Sequence, residues 1–208
     1  PTKGDEIISD GFIYDFNAEI PDSVLINGKG IFDCTNSTLP CNTTGLSYEV
    51  FSVTQGTTYR LRLINGGAIG DIVVSIDNHT MTVIEVEGTL VEALEVDSLV
   101  ISAGQRYSAL VTADQPIDNY WLRATLNADG VAIPGFGVLQ YAGAADQDPT
   151  STPAANGVFL DTDNLAPLDA QPAPEPDVSL LLNITAPTAY FYINGITYEP
   201  TDLIPLLD

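Results

Sequence analysis

The sequence predicts an all-β sandwich, and three observations carry that prediction. Short runs rich in Val, Ile, Thr and Tyr recur along most of the 208 residues, separated by turn signals such as Gln55-Gly56, Asp77-Asn78, Glu87-Gly88, Ala103-Gly104 and Asp118-Asn119. Apolar and polar residues alternate with a period of two in Tyr59-Arg60-Leu61-Arg62-Leu63, which places both arginines on one face. No stretch of helix length shows an apolar face of period 3.6. Several short strands at this spacing mean a sandwich or barrel.

Taken in order, the predicted strands are Ser23–Asn27, Tyr48–Val53, Thr58–Asn65, Asp71–Asp77, Thr80–Glu87, Glu95–Ser102, Arg106–Thr112, Tyr120–Thr125 and Gly135–Tyr141. Residues 1–141 are read as one domain. Residues 142–177 are rich in Ala, Asp, Pro, Gly and Thr and read as a long surface connection, because such a segment buries little apolar surface. Residues 178–208 bring order back with Val178–Ile184 and Tyr190–Ile193, then stop on the apolar run Leu203-Ile204-Pro205-Leu206-Leu207. An apolar end of this kind is expected to continue or to dock on a partner.

Composition limits the function classes. An apolar share of 45% with 16% charged residues supports a packed core, and no run approaches the roughly 20 apolar residues that span a bilayer. Six basic residues against 28 acidic ones leave a net charge of −22, which disfavours nucleic acid and anionic membranes as partners. The acids are scattered, so they read as a solvated surface whose self-repulsion eases as pH falls from 7 toward 4.5. Cys34 and Cys41 bracket a polar, proline-containing loop and read as a small disulfide. Four sequons, at Asn36, Asn42, Asn78 and Asn183, mark glycosylation positions and, with the disulfide, point to secretion.

Signals for catalysis are sparse. His79 is the only histidine and is expected to be structural. The chain has no Gly-x-Ser-x-Gly elbow, no Walker loop and no Gly-x-Gly-x-x-Gly. Asp161-Thr162-Asp163-Asn164 hints at a calcium loop, but Pro172 stands where its bidentate acid belongs. Arg106 and Arg123 are expected to neutralise partly buried acids. No catalytic residue and no metal ligand are assigned.

Six segments in order carry a resemblance: Ser23–Gly30, Tyr59–Asn65, Ser75–Gly88, Val96–Leu99, Ala103–Ser108 and Asn119–Ala124. Together they resemble the second, cupredoxin-type domain of fungal multicopper oxidases, the laccases, ascorbate-oxidase-like enzymes and ferroxidases. Phe191–Pro200 resembles the opening of the third domain, and the connection from Ser9-Asp10 to Pro21-Asp22 is shorter than in typical members. The resemblance implies a cupredoxin-like Greek-key β-sandwich with a long Pro/Ala/Asp-rich C-terminal connection. It implies a parent enzyme that oxidises phenols or similar substrates at one copper and reduces oxygen to water at a trinuclear cluster. Those coppers are held by a cysteine thiolate and by histidines paired in His-x-His motifs in the first and third domains.

This chain is then expected to carry no copper itself, to bridge the copper domains as its partners, and to line the substrate pocket. Alignment with phenol-oxidising relatives puts Ile69 at the substrate-contact position of the loop Gly66–Asp71, with Asp71 the nearest acid. Former interfaces would make the isolated chain self-associate. The competing expectation is a free-standing extracellular acidic module on the same fold.

Overall fold

The computed structural model describes residues 21, 23–36, 40–128, 131–155, 157–186 and 191–197. Two compact units divide the chain: Glu19–Ala170, and Pro1–Ala18 with Gln171–Asp208. The first is a β-sandwich. Its strands are β1 (Glu49–Val53), β2 (Thr58–Ile64), β3 (Asp71–Ile76), β4 (Met81–Val86), β5 (Thr89–Val96), β6 (Ser98–Ile101), β7 (Arg106–Thr112), β8 (Asn119–Ala128) and β9 (Val131–Tyr141). One sheet runs β1-β9-β8-β3-β6 and the other β2-β7-β4-β5, with β1 parallel to β9 and the remaining pairings antiparallel.

The period-two pattern decides what faces inward. On β2 the side chains Tyr59, Leu61 and Leu63 pack on the core while Arg60 and Arg62 stay exposed. Between the sheets lie Met81, Val83, Val96, Leu99, Ala109 and Tyr141, all essentially without solvent contact. Burying side chains of this size contributes about 1.5–3 kcal/mol for each large aliphatic one.

Several predicted elements are corrected. Ser23–Asn27 forms no ladder strand. It folds back through a bridge between Ile26 and Lys29, around a turn with Asn27 and Gly28 both at positive φ. Val24 and Ile26 lie instead on β9 at Gly135 and Gly137, where a Cβ would stand 2.7 Å from Val24 Cβ and 3.4 Å from Ile26 Cδ1. Glycine is needed there for close approach, not for its φ. The predicted Glu95–Ser102 strand is two strands, broken at Asp97, whose backbone N–H donates to Val158 O at 2.7 Å and whose carboxylate accepts the Val158 N–H at 2.6 Å. β5 was hidden because Thr89–Val96 carries Leu, Ala and Glu on an exposed sheet edge. The Glu87-Gly88 turn, with both residues at positive φ, enforces the hairpin.

Residues 142–170 run along the sandwich and are tied to it. Leu160 and Pro149 are buried, Ser98 bridges to Phe159, and Val91 bridges to Pro167. In the second unit the described residues form one short antiparallel pair, β10 (Ile184–Thr185) with β11 (Tyr192–Ile193). The predicted strand Val178–Ile184 is otherwise irregular, with Leu180, Leu181 and Leu182 exposed. Ser9-Asp10, the residues from Tyr198 onward including Leu203–Asp208, and the Asn36 side chain lie outside the described residues. Among the described residues no helix is long and apolar enough to cross a membrane.

Candidate functional site

Asn65 organises the loop that the sequence singled out. It follows β2 and is almost fully buried, so its amide needs partners inside the protein. The Nδ2 group donates to Ile101 O at 2.9 Å and to Gly70 O at 3.4 Å, and Oδ1 accepts from the Gly67 N–H at 2.9 Å. Backbone bonds to Gln105 O and from Gly104 N complete its bonding. Gly70, at φ +75°, brings the chain within reach of β8, where any Cβ would meet Asn127 O and Leu126 Cδ1 at 2.8 Å. The loop Gly66–Gly70 is thus held from both ends.

It borders a cleft of about 550 Å³ whose other wall is Pro21 and Ser23–Leu25. The rim is apolar, with Leu25, Ile64 and Ile69 at 56%, 68% and 41% exposure. Ile69 lines this cleft; Asp71 does not, because it opens β3 on an exposed position paired with Asn127. Asn65 was not picked out from the sequence, although an amide between an apolar strand and Gly66-Gly67 is the signal that would have found it.

The lone histidine sits elsewhere. His79 is buried, with Nδ1 2.8 Å from Asp77 O and Nε2 2.7 Å from Tyr141 Oη. A carbonyl only accepts, so Nδ1 carries the hydrogen and Nε2 accepts from the Tyr141 hydroxyl, which itself accepts the Gln115 N–H at 3.1 Å. Tyr120 packs edge-on at 4.9 Å. Burial pushes the imidazole below its ordinary pKa, against the bond to Asp77 and the charges of Asp114 and Asp77. The same burial pushes the Tyr141 hydroxyl up.

Beside it, the Asp77 carboxylate is completely buried and takes a two-pronged bond from Arg123, Nε to Oδ1 and Nη2 to Oδ2, both 2.8 Å. Ser151 Oγ donates to Asp77 Oδ2 at 2.9 Å and accepts from the Trp121 N–H at 3.0 Å. Arg123 therefore neutralises a buried acid, as expected. Arg106 does not: its partner Glu87 is 40% exposed, so that pair lies at the surface.

Cys34 and Cys41 form a disulfide. Both ring nitrogens of the only imidazole and both cysteine sulfurs are therefore engaged, which is not the free nitrogen and thiolate donor set that a copper of the family's kind requires. Among the described residues no group of three or more His, Cys, Asp or Glu is placed to hold a metal. The calcium hint resolves into a short 3-10 turn, Thr162–Asn164, in which Asp161 accepts the Asp163 N–H. The sequon residues Asn42, Asn78 and Asn183 are exposed, Asn78 in a turn at φ +62°.

The sandwich and its loops have counterparts. A profile of the multicopper oxidase family matches residues 5–144. Laccase-4 of Trametes villosa is 40% identical over 196 residues, covering 89% of this chain and 36% of its own length. A laccase of Phlebia radiata is 40% identical over 201 residues, covering 89% of this chain and 37% of that protein. A crystallised mutant of the laccase from Botrytis aclada superposes with a TM-score of 0.65 at 31% identity, over 85% of this chain and 35% of that one. The fold is the cupredoxin-like sandwich that the sequence led us to expect, and the chain belongs to the multicopper oxidase family. It spans about a third of the length of the curated relatives it matches.

Proposed function

We propose that this chain is the non-catalytic middle domain of a secreted, laccase-like multicopper oxidase. It bridges the copper-bearing domains and supplies one wall of the substrate pocket, while the whole enzyme oxidises phenols or similar compounds and reduces oxygen to water. One observation carries the reading: the only imidazole and both cysteine sulfurs of the chain are consumed by structural bonds. Carboxylates remain in plenty, but copper redox chemistry of this kind uses imidazole and thiolate, so the coppers sit on the flanking domains. In this reading Ile69 and the apolar rim beside it face the substrate, and Asp71 stands at the edge of that wall. The domain limits 1–141, 142–177 and 178–208 belong to the same proposal. So does glycosylation at Asn36, Asn42, Asn78 and Asn183, with the disulfide, in an oxidising compartment.

Native mass spectrometry of the protein from its natural source tests it. A copper-bearing species larger than the 208-residue chain and its glycans is expected. A copper-free, monomeric 208-residue glycoprotein would overturn the proposal and leave the free-standing acidic module, which the charge of −22 suits, as the function to pursue.

A further inference from the structure

One buried pair has a chemistry that the oxidase reading does not use. Tyr141, at the end of β9, has no solvent contact, and its hydroxyl stands 2.7 Å from His79 Nε2. Nδ1 of the same ring is committed to Asp77 O at 2.8 Å, so Nε2 offers its lone pair to the phenol along a hydrogen bond that already exists. A separation of about 2.6–3.2 Å is the reach of direct proton transfer. In the resting protein the proton stays on oxygen, because burial pushes the Tyr141 hydroxyl up and the imidazole down.

Oxidation reverses that order. A phenol that gives up an electron becomes a strong acid, and a neutral imidazole bonded to it takes the proton as the electron leaves. The surroundings suit both products. An imidazolium keeps its Nδ1–H on Asp77 O and gains from the charges of Asp114 and Asp77, while a phenoxyl oxygen keeps the Gln115 N–H that reaches it at 3.1 Å. The neighbouring Tyr120 packs 5.4 Å from Tyr141 but sends its hydroxyl to Pro116 O, a carbonyl that cannot take the proton. Of the two tyrosines, only Tyr141 has a base. The cover over it is thin, since Gln115 belongs to the loop between β7 and β8, where Pro116 and Ile117 are exposed.

We propose that Tyr141 and His79 form a proton-coupled redox site that reduces small oxygen-centred organic radicals meeting the surface at the Gln115–Ile117 loop. The radical takes one electron from Tyr141 and one proton from solvent, and ends as a hydroperoxide or a phenol. Tyr141 becomes a neutral phenoxyl, and its proton moves to His79 Nε2. A one-electron reductant of the ascorbate class returns the electron, and the proton moves back from His79 to oxygen. The histidine makes the electron available by giving the proton a place to go, without any change in the packing around the ring.

The test uses the 208-residue chain with its disulfide intact and involves no copper, so its outcome does not depend on the oxidase proposal. Trichloromethylperoxyl radicals are generated by pulse radiolysis, and the tyrosyl radical is followed by optical absorption and by electron paramagnetic resonance after freezing. A tyrosyl signal is expected that disappears in Tyr141→Phe and persists in Tyr120→Phe. Its formation should slow in heavy water, and should slow again as pH falls through the folded pKa of His79, because an imidazolium cannot accept the proton. His79→Gln keeps a hydrogen-bond acceptor but no base, and should form the radical at least about tenfold more slowly, equal to about 1.4 kcal/mol of barrier. The isotope and pH effects are read on the unaltered chain and stand even where His79→Gln fails to fold. No tyrosyl radical, a signal undiminished in Tyr141→Phe, or a rate indifferent to heavy water and to the protonation of His79 would each overturn the site.

Discussion

Removing the Arg123 side chain should expose how strongly the Asp77 site is coupled. In Arg123→Ala the Asp77 carboxylate, with no solvent contact, keeps only the Ser151 hydroxyl as a side-chain donor. Breaking a buried pair from one side costs about 3–5 kcal/mol. Arg123 itself is 22% exposed, which places the cost near the lower end, at about 3 kcal/mol. Its guanidinium also sits 5.5 Å from the Phe136 ring centre, and losing that contact adds about 0.5–1 kcal/mol. Asp77→Asn with Arg123→Ala removes both charges, so the double variant should lose much less than the sum of the singles. The coupling energy is expected to reach about 1.5 kcal/mol or more. Urea unfolding gives all four stabilities, and Trp121, the only tryptophan, packs on Tyr48 and Phe136 beside the pair and reports locally. A loss below about 1 kcal/mol in Arg123→Ala, or additive single variants, would refute the assignment of a coupled buried pair.

Two further outcomes follow from the same contacts. Gly135→Ala places a Cβ 2.7 Å from Val24 and 2.9 Å from Ala124 O, and should cost about 1–3 kcal/mol by overpacking, measured as a lower urea midpoint; Gly28→Ala is the control, strained by its φ of +77° but with nothing near its Cβ. Opening the disulfide by Cys34→Ser with Cys41→Ser frees a loop with a sequence separation of 7, and chain entropy predicts a loss of about 2 kcal/mol in melting experiments.

The sheets were legible in the sequence because their residues repeat a period: Arg106–Thr112 matches β7 from end to end. Misreadings cluster where tertiary contacts override the local pattern. Ser23–Asn27 alternates like a strand, yet glycines more than a hundred residues away draw it onto β9. Thr89–Val96 has the composition of a helix, and its strand state comes from the turn before it and the partner β4. The site divides the same way. A loop around Ile69 could be aligned by resemblance, but the amide of Asn65 that holds it and the join of Asp77 to Arg123 and Ser151, 46 and 74 residues away, exist only once the chain is folded.

Charge and burial pull the acid response in opposite directions. Exposed carboxylates neutralise as pH falls, which relieves repulsion in a chain of −22. His79 does the reverse. Its folded pKa lies below the ordinary value near 6.5, so the folded state binds fewer protons there than the unfolded one. Its contribution is complete above about pH 6.5 and is lost as pH falls through the interval down to the folded pKa, by up to about 1.4 kcal/mol per pH unit. Salt separates the two, because the Debye length shrinks from about 10 Å at 0.1 M to about 3 Å at 1 M, while the buried ring against Tyr120 and Tyr141 is beyond screening. At low salt the repulsion term offsets the histidine term between pH 7 and 4.5; at 1 M salt the decline below pH 6.5 should stand alone. His79→Gln, which does not titrate, should be less stable at pH 8 but flat across that interval in 1 M salt. Parallel melting curves for the two proteins would show that His79 is not the group that sets the acid limit.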